Sequence, residues 1–152
     1  MTGVQTCALP ISQCNLAQLL SRQGQVLYRQ GRPREALAQW QESLRLQPDA
    51  LGVLCLTAWV LATNQDPAVR NGGAALALAQ RAAQLSGTHP EVLDVLAAAC
   101  AETGRFAEAI TIAQQAATQA ASQRDQQLAE AIQTRIKGYQ ASAPFRETRP
   151  RE

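Results

Sequence analysis

Aromatic residues are scarce in this sequence: two Trp, two Tyr and two Phe make up 4% of 152 residues, whereas 46% are hydrophobic. Strands are enriched in β-branched and aromatic side chains, so an apolar fraction dominated by Ala and Leu favours closely packed helices over a sheet. No apolar run approaches the roughly 18 residues that a membrane-spanning helix needs. The composition therefore predicts one all-α domain without a membrane span.

Residue types that carry catalysis and metal binding are few as well. His89 is the single histidine, and it lies beside Pro90 in a connection between predicted helices. Gly72-Gly73 lacks the lysine and the preceding strand of a phosphate-binding loop. The acidic residues are scattered without a converging pair. We therefore expect no enzyme activity, no cofactor and no metal site.

Charge and cysteine spacing exclude two further classes. The net charge of +2 is spread along the chain, whereas nucleic-acid binding uses a clustered basic surface. Cys14, Cys55 and Cys100 lack the paired spacing of zinc sites, and we expect them to be small buried apolar residues. Without Cys7, which lies in the leader described next, the cysteine count is odd, and this favours a reducing compartment such as the cytoplasm.

The first eleven residues, Met1–Ile11 (MTGVQTCALPI), have neither helical nor strand periodicity. The string resembles the in-frame translation of a common sequencing adaptor, with a GTG start codon read as Met1, so we exclude it from the fold as a non-native leader. A secretory signal would need a basic segment and a continuous apolar core. The alternative is a short natural leader; the adaptor interpretation implies that the chain is the carboxy-terminal fragment of a longer protein.

Two segments of the chain repeat one pattern. Gly31–Leu37 reads GRPREAL and Gly104–Ile110 reads GRFAEAI. The segment that contains the first phrase, residues 17–50, has a length of about 34 residues, and the helix–turn–helix pattern W-x₂-L-G-x₂-Y…A-x₃-F…P is partly matched there. The matching residues are Gly24, Ala36, Trp40 and Pro48.

This pattern resembles the tetratricopeptide repeat (TPR) family. The resemblance implies a right-handed superhelix of about three helical hairpins, over residues 17–50, 51–89 and 90–123, within a domain at 12–140. We interpret residues 124–139 as a helix that caps the array, because Leu128, Ile132, Ile136 and Tyr139 share one face. The polar, Pro-bearing residues 141–152 are expected to form a flexible tail that is mobile or only loosely docked.

The middle hairpin differs from its neighbours by an extended loop over Thr63–Gly73, about five residues longer in our alignment. Asp66-Pro67 is expected to open a helical turn there and Asn71 to cap the next helix. The general residue pattern of positions 62–110 resembles that of the carboxy-terminal repeats of large bacterial multidomain proteins, including some membrane glycosyltransferase-like ones. The role of the loop stays open at this stage.

The resemblance to the TPR family also implies a binding surface, because that family binds ligands on the concave surface formed by the first helix of each hairpin. Trp59 can be an interface anchor beside Tyr28, or it can simply pack between hairpins. We expect Arg29 at one edge of the groove and acidic residues at the other, which would orient a partner. The candidate residues are Tyr28, Arg29, Cys55, Trp59, Glu91, Asp94 and Glu102.

Two functions remain after these exclusions. One is a non-catalytic scaffold module that binds a peptide or helix of a partner protein in the concave groove. The other is a passive spacer or capping segment at the carboxy-terminal end of a larger enzyme or membrane glycosyltransferase-like protein. Neither uses nucleic acid.

Overall fold

The computed structural model describes residues 11–148, and within that range it is built from α-helices. The leader predicted over Met1–Ile11 lies outside the described residues except at Ile11, where the first helix begins. The all-α prediction is confirmed. The helices are α1 (Ile11–Arg29), α2 (Pro33–Leu46), α3 (Leu51–Thr63), α4 (Gly72–Ser86), α5 (Pro90–Glu102), α6 (Phe106–Ser122) and α7 (Gln126–Gln140).

The helices pack as successive hairpins. Helix α1 packs on α2, α3 on α4, and α5 on α6, while α3 also contacts α5 and α7 covers α6. Short connections of this kind place consecutive helices antiparallel. The first helices of the hairpins, α1, α3 and α5, therefore line one side of the array, and α2, α4 and α6 line the other.

The first hairpin is held by one large and one very small residue. Trp40 on α2 is fully buried, and its indole N–H donates to the backbone carbonyl of Ser21 on α1 at 3.2 Å. Gly24 lies against that ring so closely that an added Cβ would overlap it. Ser43 adds a buried hydrogen bond of 2.8 Å to the carbonyl of Ala17. The small residue predicted at position 24 is thus required by the bulk of the tryptophan.

The repeated GR phrases make the same helix-ending turn. Gly31 has φ +75°, its N–H bonds to the carbonyl of Tyr28, and the next N–H, of Arg32, bonds to the carbonyl of Leu27. Gly104 repeats both bonds with φ +82°. Such paired bonds require a residue in the left-handed region, where glycine has no Cβ penalty. Arg124 (φ 63°) and Ser142 (φ 56°) close α6 and α7 in the same way without glycine.

The extended connection between α3 and α4 is well ordered by hydrogen bonds. Asp66 accepts from the N–H of Ala68 at 2.9 Å and opens the expected helical turn, and Asn71 caps α4 by accepting from the N–H of Ala74 at 3.1 Å. Arg70 donates to the carbonyl oxygens of Asn64 at 2.7 Å and Gln65 at 2.9 Å. Both local predictions for this loop are confirmed, and the arginine side chain is fixed.

Helix α7 covers the last hairpin. Ile132, Ile136 and Tyr139 are buried in one cluster with the alanines of α6, while Glu130, Gln133 and Lys137 are exposed. Asp125 begins the helix by accepting from the N–H of Leu128 at 3.0 Å. An apolar inner face and a polar outer face are what the end of a repeat array needs.

The cysteines differ in their surroundings. Cys100 is fully buried, as expected of a small apolar side chain, whereas Cys55 is only partly buried. Cys14 is buried too, but it is disulfide-bonded and so differs from the expected small apolar side chain.

Candidate partner-binding groove

A cavity of about 260 Å³ opens on the side formed by α1, α3 and α5. It brings together five of the seven residues singled out from the sequence: Tyr28, Arg29, Cys55, Trp59 and Glu91. The helices place them there because each lies on the inner face of the first helix of its hairpin. The remaining lining residues are Gln25, Trp40, Leu56, Val60 and Val95.

Trp59 is a packing residue at the floor of this groove. Only 3% of its surface is exposed, and its ring lies 5.7 Å from that of Phe145, centroid to centroid. The guanidinium of Arg135 lies 5.1 Å from the Trp59 ring and 4.9 Å from the Phe145 ring, which is within the range of cation–π attraction. The sequence allows Trp59 to be either an interface anchor or a residue that packs between hairpins. Its contacts are those of a packing residue.

Asp94 does not form part of an acidic groove edge. It is fully buried and makes an ion pair with Arg135 of α7, with Nη1 and Oδ2 2.8 Å apart. The arginine side chain is 10% exposed. Burying a carboxylate requires such a partner. The negative charge that the alignment assigned to the groove is therefore paired with an arginine of α7.

Glu102 is also engaged, and it joins three parts of the chain. Its carboxylate lies 3.1 Å from Nε of Arg70 in the extended loop and 2.6 Å from Nη1 of Arg146 in the tail. Only 14% of the Glu102 side chain is exposed. The predicted gradient from Arg29 to a row of free acids is therefore wrong for Asp94 and Glu102, and Glu91 alone is an exposed acid beside the cavity.

The tail segment, Pro144–Glu147, lies along the groove, in contrast to the flexible tail expected from its composition. The N–H of Glu147 donates to the carbonyl of Thr63 at 2.9 Å, and the Tyr28 hydroxyl donates to the Glu147 carboxylate. Arg146 donates to the carbonyl of Ala62 at 3.4 Å. All four residues of the segment are half-buried. The sequence pattern allowed at most a loose docking here and predicted none of these contacts, although Phe145 in an otherwise polar stretch was a signal for them.

Tyr28 links the tail to the first hairpin. Its ring packs 5.8 Å from that of Trp40, and 9% of its surface is exposed. The hydroxyl is left at the groove, where it meets Glu147. The tyrosine expected at the groove is thus a packing residue with a polar tip in the site.

No described helix is long and apolar enough to cross a bilayer. Within residues 11–148, no three His, Cys, Asp or Glu side chains are grouped so that they could hold a metal ion.

Comparison with known proteins gives one family and one fold. The tetratricopeptide repeat model matches residues 17–50. The structure is similar to the C-terminal TPR-containing domain of an FK506-binding protein from Plasmodium falciparum, with a TM-score of 0.57, 16% identity, and coverage of 85% of this chain and 93% of that one. No curated protein sequence matches the chain. The chain therefore has a match to the tetratricopeptide repeat at residues 17–50, and its fold is similar to that of a TPR-containing domain.

Proposed function

We propose that the groove formed by α1, α3 and α5 binds an extended segment of a partner protein. The observation that carries the proposal is the chain's own tail segment, which already lies there and makes backbone and side-chain bonds to α1, α3 and α5. A site that accommodates one extended segment offers the geometry for another.

The cavity next to the tail segment supports the same proposal. Its lining combines apolar surface from Leu56, Val60 and Val95 with polar groups at its edges. Pockets that bind ligands combine an apolar lining with a few polar groups that fix orientation. Arg29 and Glu91 are exposed at those edges and carry opposite charges, so they would orient a bound segment and raise its association rate more than its affinity.

The experiment is a selection of short random peptides on the full chain, followed by calorimetric titration of the selected peptides. Cys55→Phe places a larger side chain into the cavity and is expected to weaken binding by about tenfold or more, since one hot-spot contact is worth about 2 kcal/mol. Gln115→Phe on the opposite side of the array is the matched control, because Gln115 is exposed on α6. Equal affinity for both variants, or no selected peptide at all, would overturn the proposal.

A second candidate is a passive spacer or capping role beside a larger enzyme or membrane glycosyltransferase-like protein. The observation that favours it is a row of exposed apolar side chains on α1, namely Leu16, Leu19 and Val26. Helical repeats stack through such faces. Peptide binding that is lost on Cys55→Phe would favour the binding groove. If no peptide binds, the spacer role is favoured.

A further inference from the structure

Three successive side chains of the tail segment contact different parts of the array. Phe145 packs between Trp59 of α3 and Arg135 of α7. Arg146 pairs with Glu102 at the end of α5, and Glu147 accepts from Tyr28 near the end of α1. The order aromatic, cation, acid along the segment therefore corresponds to a fixed order of contacts across the array.

The middle position is specific for a positive charge for two independent reasons. Glu102 provides a half-buried carboxylate that Arg70 holds in place. In addition, α3 and α5 both end at this edge, at Thr63 and Glu102. The last carbonyls of a helix lack intrahelical partners and carry the negative end of the helix dipole, which favours a cation. Arg146 uses both, since it also donates to the carbonyl of Ala62.

The backbone of the segment is recognised as well. The N–H of Glu147 satisfies the carbonyl of Thr63, which is the last residue of α3. This bond fixes the register, so that the aromatic ring two residues earlier lies over Trp59. A lysine or arginine placed one position away would meet neither Glu102 nor the end of α3.

We infer that the groove recognises an extended segment with the order aromatic, arginine, acidic residue, and that Pro144–Glu147 is the built-in occupant with which such a partner competes. The inference rests on the proposed function and names the chemistry of its partner. A partner segment of this order would replace each contact of the tail without leaving Glu102 or Arg135 uncovered. The competition makes partner binding dependent on release of the tail.

The test uses the full chain and a synthetic peptide of residues 141–150, ASAPFRETRP. The full-length variant Phe145→Ala/Arg146→Ala/Glu147→Ala removes the tail contacts and is expected to bind this peptide. The unaltered chain should bind it about tenfold more weakly, because a short linker holds its own tail at an effective concentration of the order of 1 mM. A scrambled peptide of the same composition is the control for charge.

A second variant keeps the test decisive if the triple variant loses its helical structure. Arg146→Ala alone retains Phe145 against Trp59, and it is expected to bind the peptide with intermediate affinity. A peptide in which the arginine that corresponds to Arg146 is replaced by glutamate should bind neither variant. Circular dichroism melts of both variants measure whether the array is intact.

Three outcomes contradict the inference and separate it from the proposed function. If the tail peptide does not bind a folded variant, or binds no better than its scrambled control, while selected peptides still bind in a Cys55→Phe-sensitive way, the partner chemistry is wrong and the groove stands. If the tail peptide binds the unaltered chain as well as the triple variant, the tail does not compete. If neither tail nor selected peptides bind, both proposals fail.

Discussion

The first and third hairpins solve the same packing problem with different side chains. Counted from the turn glycines, Gly24 and Trp40 in the first hairpin correspond to Ala97 and Ala113 in the third. Trp40, Ala97 and Ala113 are fully buried. In the first pair a large side chain packs against a glycine, which has no side chain. In the second pair two small side chains occupy the same places.

The difference shows where each hairpin obtains its apolar contacts. In the first, Trp40 on α2 spans the space to α1 and reaches Tyr28. In the third, the alanines of α6 are covered from outside by Ile132, Ile136 and Tyr139 of α7. The shared turn sets the geometry of each hairpin. The large side chains that fill its core can come from the hairpin itself or from a neighbouring helix.

Trp40→Ala should break the first hairpin and have the largest effect of the predictions made for this comparison. The substitution leaves a cavity between α1 and α2 and removes the indole hydrogen bond to the Ser21 carbonyl, and we expect a loss of about 3–5 kcal/mol in the free energy of unfolding. The matched change in the third hairpin, Ala113→Gly, should cost only about 1 kcal/mol. Urea denaturation followed by circular dichroism measures both, and similar losses would contradict the comparison.

Gly24→Ala is expected to cost about 2–3 kcal/mol, because its Cβ would overlap the Trp40 indole. The double variant Gly24→Ala/Trp40→Ala reproduces the Ala–Ala pair of the third hairpin. It should therefore be less destabilised than the sum of the single changes by more than about 1 kcal/mol. A double-mutant cycle from denaturation curves measures this coupling; additive effects would show that the two residues do not constrain each other.

Cys100 distinguishes the third hairpin from the first, where Leu27 holds the equivalent place. Burial raises the pKa of the Cys100 thiol from 9.0 to about 11, with Glu108 raising it further and Arg105 opposing. Below pH 9 both the folded and unfolded thiols are protonated, so the full stability is present. Between pH 9 and 11 only the unfolded thiol ionises, which lowers the free energy of unfolding by about 1.4 kcal/mol at pH 10.

Cys100→Ala should remove that part of the alkaline loss. The measurement is urea denaturation of both proteins at pH 8 and pH 10, with the difference between the two pH values compared. An unchanged alkaline loss in the variant would assign it to other groups.

Arg124→Gly is expected to have the smallest effect and to stabilise the chain. Arg124 ends α6 with φ 63°, at the place where Gly31 and Gly104 end α1 and α5. Glycine removes the Cβ strain but adds freedom to the unfolded chain, so the net gain should be about 0.5–1 kcal/mol. Thermal melts of Arg124→Gly and the control Arg124→Ala check this; an equal gain in both would point to charge instead of backbone strain.

Local patterns in the sequence were sufficient for the helices and their turns. Gly24, Ala36 and Trp40 match the repeat pattern, and GRPREAL and GRFAEAI mark equivalent turns, so the hairpins follow from contacts between residues close along the chain. The cap on α4 at Asn71 and the inner face of α7 were accessible for the same reason. Five of the residues that the alignment assigned to the groove line one cavity, because the first helices of the hairpins turn the same face inward.

The parts that only the tertiary structure decided depend on contacts between distant residues. Asp94 pairs with Arg135, 41 residues later, and Tyr28 meets Glu147, 119 residues later. The periodicity of a sequence carries no information on contacts between residues so far apart. For this reason the sequence predicted Asp94 at an acidic groove edge, whereas it lies in a buried ion pair. A polar, Pro-bearing tail has no helical or strand pattern of its own, and the side chains of α1, α3, α5 and α7 together create the place where Phe145, Arg146 and Glu147 bind.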